Sequence, residues 1–425
     1  MDTIRKWILM SAVLTVSLNG SGLDIPPDKA VEIGDHCWYY ILSEEDKTAV
    51  FAGIDTTWEP WMDMKAEEFT VPGYVRFPDN GEEEYKVVEI GENAFTIFSS
   101  RNPIAWSFQL DYGIGCDFCM PYSVKVPETV TKIGESAFTG SNSTGFSEFH
   151  FPSSVTEIGP YCFYWSFGIE HLFLPPALKK IPEGFAGMCR YLKECAIPQE
   201  VEEIGERAFF RCNSLEGVYI PASVKEIGED AFTALLSIEN FEVDPANENF
   251  CAPDGILLDK EGKTLIAWPF KRTEVIVPEG VETLLGRPLS HAFELFETID
   301  LPSSIKKLPN YSFESDNGIK KLTVRAEVPP VCEVDEQISI FAPEVYVNAT
   351  LYVPAGSEEA YRTAPVWKEF RNILAIGSDA VETVEMDSVS AEAEYFTLDG
   401  RKTESPAEGE IVIRRQNGKS TAIIR

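Results

Sequence analysis

The sequence predicts a repeat solenoid, a stack of short coils that is mostly β structure with short helical or irregular segments. Two sequence markers recur through the middle of the chain with one period. The first is the string Ile-Gly-x-x-Ala-Phe, complete or slightly altered, and four of its isoleucines are spaced 23 residues apart: Ile158, Ile181, Ile204 and Ile227. The second is an apolar residue followed by proline, and its prolines have the same spacing: Pro152, Pro175, Pro198 and Pro221. Two independent markers with one period indicate stacked structural units.

The unit at residues 215–232 shows how one coil is built. Its apolar residues Val218 and Ile220 predict a short strand facing the core, and Pro221 ends that strand because proline cannot donate to a continuing ladder. We expect Gly228 to allow a turn, after which the Ala-Phe pair closes the coil. One such unit buries too little apolar surface to offset the conformational entropy of ordering it. Neighbouring units must therefore stack on each other.

The N-terminus predicts a targeting segment. Arg5 and Lys6 precede a nearly unbroken apolar run at residues 7–18, which is too short to span a bilayer. Small residues follow the run, so residues 1–22 read as a secretory signal peptide. We expect the chain to be exported to the cell surface, the extracellular space or the periplasm. The rest of the sequence has no second long apolar run, so no transmembrane span is expected.

The repeat resembles the BspA-like leucine-rich repeats of bacterial surface proteins. The resemblance is carried by Ile204-Gly-Glu-Arg-Ala-Phe209, Cys212-x-x-Leu215 and Val218-Tyr-Ile-Pro221, and by their equivalents in other units. It covers residues 85 to 375 approximately. The resemblance implies binding to proteins of a host or of neighbouring cells, including adhesion. It implies no particular set of binding residues.

The resemblance and the changes in composition divide the chain into four segments. A cap is expected at the end of the repeat array, because an open end would expose core and strand edges. The C-terminal module is similar to short strand modules of exported bacterial proteins that serve in sorting; a plain terminal hairpin is the alternative. The segments are a signal peptide at 1–22, a strand-rich capping segment at 23–84, a solenoid at 85–377 with a hairpin insertion near 241–270 and a cap near 343–377, and a linker with a short β module at 378–425.

The net charge limits the kinds of partner. Asp and Glu number 69 and Lys and Arg 36, which makes a formal net charge of −33. The electrostatic field of such a negative charge repels phosphate backbones and anionic membranes, so we expect no nucleic-acid partner. The same charge also keeps an exposed protein in solution.

Motifs for catalysis or cofactor binding are missing from the sequence. It contains four histidines, and it has no metalloprotease, nucleophile-elbow, phosphate-loop or EF-hand motif. Cys116 and Cys119 form one Cys-x-x-Cys pair, whereas a structural zinc site needs a second pair or two histidines. We therefore expect a protein that is not an enzyme and holds neither cofactor nor metal. The alternative is a carbohydrate-handling accessory protein or an unrecognised hydrolase, which the exposed aromatic and acidic residues would serve.

Two rows of outward strand positions are the candidate binding residues. Residues 23 apart share a place in successive units, which puts them side by side on one strand face. One row is His150, Phe173, Ala196 and Tyr219; the other is Glu148, His171, Glu194 and Gly217. Exposed aromatic side chains are enriched at interfaces, so these rows predict a contact strip for a protein or glycan partner. Ordinary cross-strand stacking of exposed residues is the alternative.

Overall fold

A computed structural model describes most of the repeat region and parts of both termini. The described residues are 30–34, 37–54, 68–95, 123–141, 146–291, 295–314, 316–333, 340–378, 394–396, 402–403, 411–416 and 419–424. The predicted signal peptide and the Cys116–Cys119 pair lie outside them. The chain divides into two compact units, Met1–Ile376 and Gly377–Arg425.

The first unit begins with six strands. They are β1 (Val31–Glu32), β2 (Cys37–Ser43), β3 (Thr48–Ile54), β4 (Phe69–Thr70), β5 (Tyr74–Val75) and β6 (Tyr85–Ile90), with a 3-10 turn at Pro78–Asn80. Strands β1, β2 and β3 are antiparallel, and β3 then pairs in parallel with β6. Because β6 also pairs in parallel with Lys132–Ile133 of the repeat array, this sheet passes directly into the coils.

The first run of coils places its strands in two parallel ladders. The strands are β7 (Val124–Lys125), β8 (Lys132–Ile133), β9 (Glu148–His150), β10 (Glu157–Ile158), β11 (His171–Phe173), β12 (Lys180–Ile181), β13 (Glu194–Cys195), β14 (Glu203–Ile204), β15 (Val218–Ile220), β16 (Glu226–Ile227) and β17 (Phe241–Val243). We call β9, β11, β13, β15 and β17 the Pro ladder, because most of these strands end near the repeated proline. We call β6, β8, β10, β12, β14 and β16 the Ile ladder; strand pairing joins β6, β8 and β10, and separately β12, β14 and β16. Strand β7 lies outside both ladders and pairs in parallel with β4.

Both ladders keep the register that the 23-residue period predicts. In the Ile ladder, Ile204 lies between Ile181 and Ile227. In the Pro ladder, strand pairing joins β9, β11 and β13, and separately β15 and β17. Between β13 and β15, the backbone N–H of Glu216 donates to the carbonyl of Lys193 at 3.4 Å. The predicted solenoid of mostly β structure is confirmed.

Aromatic rings fill the core beside the turns. The rings of Phe95, Phe138 and Phe163 stack almost parallel, with centroids 5.0 Å apart in each step. Phe185 belongs to the unit that is one residue short in this motif, and its ring stands at 72° to that of Phe163. The shorter unit therefore turns its ring edge-on within the same stack.

The repeated glycine has a different role from the expected turn. A Cβ added to Gly205 would lie 2.5 Å from the backbone nitrogen of Glu183, and one added to Gly228 would lie 2.4 Å from that of Glu206. Neither glycine has a positive φ; the left-handed residues come two positions later, at Arg207 and Asp230. The expectation that Gly228 supplies the turn was wrong, because the glycine is needed where adjacent coils approach closely.

An antiparallel hairpin interrupts the Ile ladder after β16. It comprises β18 (Phe250–Cys251), β19 (Leu257–Asp259) and β20 (Thr264–Ala267), with a 3-10 turn at Pro253–Gly255. The second run of coils follows as β21 (Glu274–Ile276), β22 (Thr283–Leu284), β23 (Thr298–Leu301), β24 (Lys307–Leu308), β25 (Lys321–Val324) and β26 (Val331–Cys332). Strand β20 pairs in parallel with β22, which connects the hairpin to these coils.

Helices and two further strands cover the end of the second run. They are α1 (Pro343–Asn348), β27 (Thr350–Val353), α2 (Glu358–Thr363), a 3-10 turn at Trp367–Glu369 and β28 (Asn372–Ala375). Trp367 is fully buried, and its indole N–H donates to the carbonyl of Pro330 at 2.9 Å. Among the described helices, none combines the length and the apolar character that crossing a membrane requires.

The second unit contains a four-stranded antiparallel sheet. Its strands are β29 (Glu394–Phe396), β30 (Lys402–Thr403), β31 (Ile411–Gln416) and β32 (Lys419–Ile424). The order across the sheet is β30, β29, β31 and β32.

Candidate functional site

The predicted contact strip lies on the Pro ladder. Strand pairing places His150 opposite Phe173, Glu148 opposite His171, and His171 opposite Glu194. These side chains project outward because the residues between them, such as Leu172, face the core. The structure therefore brings five of the six predicted site residues together on three adjacent strands.

The aromatic row of the strip begins with a stacked pair. The rings of His150 and Phe173 are nearly parallel, at 9°, and their centroids are 4.1 Å apart. Phe173 nevertheless remains 39% exposed. One face of the Phe173 ring is thus covered by the preceding coil, while the side chain stays accessible to a partner.

The second row alternates carboxylates and an imidazole. A carboxylate oxygen of Glu194 lies 3.4 Å from Nδ1 of His171, and one of Glu148 lies 3.7 Å from Nε2 of His150. The Glu148 and Glu194 side chains are more than half exposed. Such contacts align exposed side chains on the strand face, but contribute little to stability.

Tyr219 lies on the same face beyond the interruption between β13 and β15. It is 41% exposed, and its hydroxyl donates to a carboxylate oxygen of Asp244 in the next coil at 2.7 Å. That hydrogen bond raises the pKa of Tyr219 and lowers the pKa of Asp244. Tyr219 is therefore drawn towards the following coil, and no aromatic contact joins it to Phe173 among the described rings.

A shallow cavity of about 450 Å³ adjoins the strip. It is lined by Phe173, Pro176, Glu194, Ala196, Ile197, Pro198, Gln199 and Glu200, among others. Sequence reasoning placed Ala196 in the aromatic row but did not recognise the cavity. The one available signal was the change from large to small side chain at Ala196, between Phe173 and Tyr219.

The buried thiols of the repeat serve packing. The Sγ of Cys189 donates to the carbonyl of Phe163 at 2.9 Å, and that of Cys212 donates to the carbonyl of Ala186 at 3.1 Å. Burial raises the pKa of Cys189 to about 12, so its reactive thiolate form is disfavoured. Among the described residues, no cluster of His, Cys, Asp and Glu side chains could hold a metal ion.

A second group of polar side chains lies at the turns. Asp230 is buried, and its carboxylate accepts hydrogen bonds from the backbone N–H and the guanidinium of Arg287. Arg211 lies 3.0 Å from Nδ1 of His291, and burial beside the arginines lowers the pKa of His291 well below its usual range. Sequence analysis did not single out these residues, because they follow no repeated pattern.

Comparison with known proteins agrees with this architecture. Six copies of the family described as "BspA type Leucine rich repeat region" match residues 117–239 and 270–331. No curated protein matches the chain in a search of such proteins.

Solved structures of bacterial leucine-rich repeat proteins are similar to the chain at low sequence identity. The pneumococcal vaccine antigen PcpA is 17% identical, with 82% of this chain and 99% of that chain covered and a TM-score of 0.50. A leucine rich cell surface protein from Faecalibacterium prausnitzii A2-165 is 19% identical, with 82% and 95% covered and a TM-score of 0.49. At such identities the likeness concerns the fold alone. The repeat copies, together with the two ladders that they form, show that residues 117–239 and 270–331 of this chain are leucine-rich repeats of the BspA type.

Proposed function

We propose that this chain is an exported binding protein that holds a protein or glycan partner on the outer face of its Pro ladder. The observation that carries this proposal is the exposed, stacked pair of His150 and Phe173 on a regular parallel ladder. A ladder fixes the spacing of its side chains, so the strip is already ordered before a partner arrives. Pre-ordered aromatic side chains lose little conformational entropy on binding.

The proposed setting is the cell surface or the space outside the cell. The basic residues and the apolar run within residues 1–22 support export. The resemblance to surface proteins adds an adhesive role, in which the strip contacts a host or a neighbouring cell. Binding, and not turnover, is then the whole activity of the chain.

Partner capture by the chain without residues 1–22 tests this function. We would present it with arrays of matrix proteins, bacterial surface proteins and glycans, and then repeat the capture with Phe173→Ser and Tyr219→Ser. Both variants should weaken capture while the fold stays intact. Ile276→Ser is the matched control, because Ile276 is an exposed outward residue of β21, away from the strip.

Two results would contradict the proposal. The strip would have no role if both strip variants captured the partner as well as the unchanged chain. Hydrolysis of an arrayed glycan that a single carboxylate substitution abolishes would instead favour an enzyme.

A further inference from the structure

The aromatic row of the strip lacks one member. His150 covers one face of Phe173, and on the other side the next place in the row belongs to Ala196. The register fixes this neighbour, because Leu172 pairs with Cys195 one residue earlier. Ala196 is exposed and has no side chain beyond Cβ, so the second face of Phe173 borders the cavity instead of another ring. We call this opening the Ala196 slot. Phe173 lies on one side of it and Ala196 lies at its base.

The Ala196 slot has room for one flat group. Tyr219 occupies the place after Ala196, two ladder steps or roughly 10 Å from Phe173. Its hydroxyl is held by Asp244 on the far side, which keeps the ring from leaning towards Phe173. A planar group in van der Waals contact with a ring needs about 3.5–4 Å, so one such group fits between the rings of Phe173 and Tyr219.

Acidic side chains give the slot its chemical preference. Glu194 and Glu200 both line the cavity, and both side chains are at least 60% exposed. Glu200 already forms an ion pair with Lys179, so Glu194 is the carboxylate that a cation in the slot would contact. The chain as a whole carries a formal net charge of −33, so the field also favours a cation. An uncharged sugar ring would stack on Phe173 but would gain nothing from the charge. A guanidinium group is flat, stacks on aromatic faces and pairs with carboxylates.

We propose that the Ala196 slot binds an arginine side chain from a basic segment of a partner protein, stacked on Phe173 and paired with Glu194. This inference rests on the proposed binding function and specifies the partner chemistry at one place in the strip. The arginine completes the interrupted row, with its guanidinium plane parallel to the rings of His150 and Phe173.

Selection from a random peptide library displayed on phage tests the slot. The chain without residues 1–22 is immobilised at low ionic strength, and the selected peptides are sequenced. Arginine should be enriched over the input library, and more strongly than lysine. In a synthetic copy of the leading peptide, replacement of the enriched arginine by lysine should weaken binding about tenfold. Replacement by citrulline, which is flat but neutral, should weaken it at least as much.

Matched variants locate the bound arginine. Ala196→Phe fills the slot on an exposed position and should abolish the arginine preference, whereas Ile276→Phe adds the same ring on β21 and should leave it unchanged. Glu194→Gln should weaken binding of the leading peptide. Its control is Glu274→Gln, which neutralises an exposed carboxylate on the same distant strand.

The outcomes separate the slot from the wider proposal. If Phe173→Ser weakens partner capture but Ala196→Phe leaves peptide binding unchanged, the strip binds its partner and the slot proposal is wrong. The slot proposal is also wrong if lysine and arginine are enriched equally, or if Ala196→Phe blocks only neutral glycans. Loss of both partner capture and arginine preference with Ala196→Phe supports both proposals.

Discussion

Asp230 and Arg287 are 57 residues apart in the chain, yet both oxygens of the Asp230 carboxylate accept hydrogen bonds from Arg287. The hairpin of β18–β20 lies within the intervening sequence. The ion pair therefore joins the coils on the two sides of the hairpin. The side chain of Asp230 is only 4% exposed and that of Arg287 18%, so water solvates both charged groups poorly.

Asp230→Asn should destabilise the repeat unit strongly. The substitution leaves the Arg287 guanidinium partly buried without its charged partner, which costs about 3–5 kcal/mol in comparable buried pairs. Chemical denaturation followed by circular dichroism measures the change in the free energy of unfolding. Glu297→Gln is the control, because Glu297 forms an exposed pair with Lys320 on the surface. Equal losses in the two variants would show that the Asp230–Arg287 pair does not connect the coils.

Gly205→Ala should destabilise the stack, and Gly217→Ala should not. The new methyl group at position 205 would overlap the backbone of Glu183, and overpacking of this kind costs about 1–3 kcal/mol. A Cβ at Gly217 meets nothing within 4 Å and requires no positive φ, so alanine there should be neutral or slightly stabilising. Thermal unfolding of the two variants compares them directly. Equal melting temperatures would disprove the close-approach explanation.

Stability should decrease as the pH rises through the range in which Glu314 ionises. Burial raises the pKa of Glu314 from 4.5 to about 7, against the opposing attraction of Arg287. Between about pH 4.5 and pH 7 the folded chain therefore binds a proton at Glu314 that the unfolded chain has released. The stabilisation of the folded chain by this bound proton is fully present below pH 4.5 and is lost as the pH rises through 7.

Glu314→Gln isolates that contribution, because glutamine does not titrate. The difference in unfolding free energy between the variant and the unchanged chain should shift by about 1–2 kcal/mol in favour of the variant from pH 4.5 to pH 8, after allowance for solvent screening. Urea denaturation at both pH values measures the shift. A difference that stays constant with pH would show that Glu314 titrates normally.

Four buried thiols of the repeat coils should resist alkylation in the folded chain. Burial raises the pKa of each, which suppresses the thiolate and also blocks access by the reagent. The residues are Cys162, Cys189, Cys195 and Cys212. Mass spectrometry after iodoacetamide treatment at pH 8 should find them modified only after unfolding in urea. Rapid modification of Cys189 without urea would mean that this part of the core opens readily.

The ladders could be predicted because their residues recur. The 23-residue period placed His150 beside Phe173 and Ile181 beside Ile204, and strand pairing confirms both neighbours. Periodic positions carry this information because each coil repeats the contacts of the last.

Contacts that do not recur from coil to coil could not be predicted. Asp230 and Arg287 occur once, and their pairing depends on how the hairpin between them folds. The role of Gly205 also escaped prediction, since glycine is equally typical of a turn and of a close approach between backbones. The hydrogen bond from Tyr219 to Asp244 also escaped prediction, because it is a tertiary contact without a sequence pattern.

The contact between each repeated glycine and the backbone of the preceding coil also bears on how such arrays change length. The N–H of Gly205 donates to Ile181, and that of Gly228 donates to Ile204, so each glycine is tied to one residue of the coil before it. Removing part of a coil at this point would bring a bulkier residue against that backbone, whereas removing a complete coil restores the same glycine. Natural variants of the array should therefore differ by duplicated or deleted whole coils. Extra residues should be inserted where the chain leaves the stack, as in the hairpin of β18–β20.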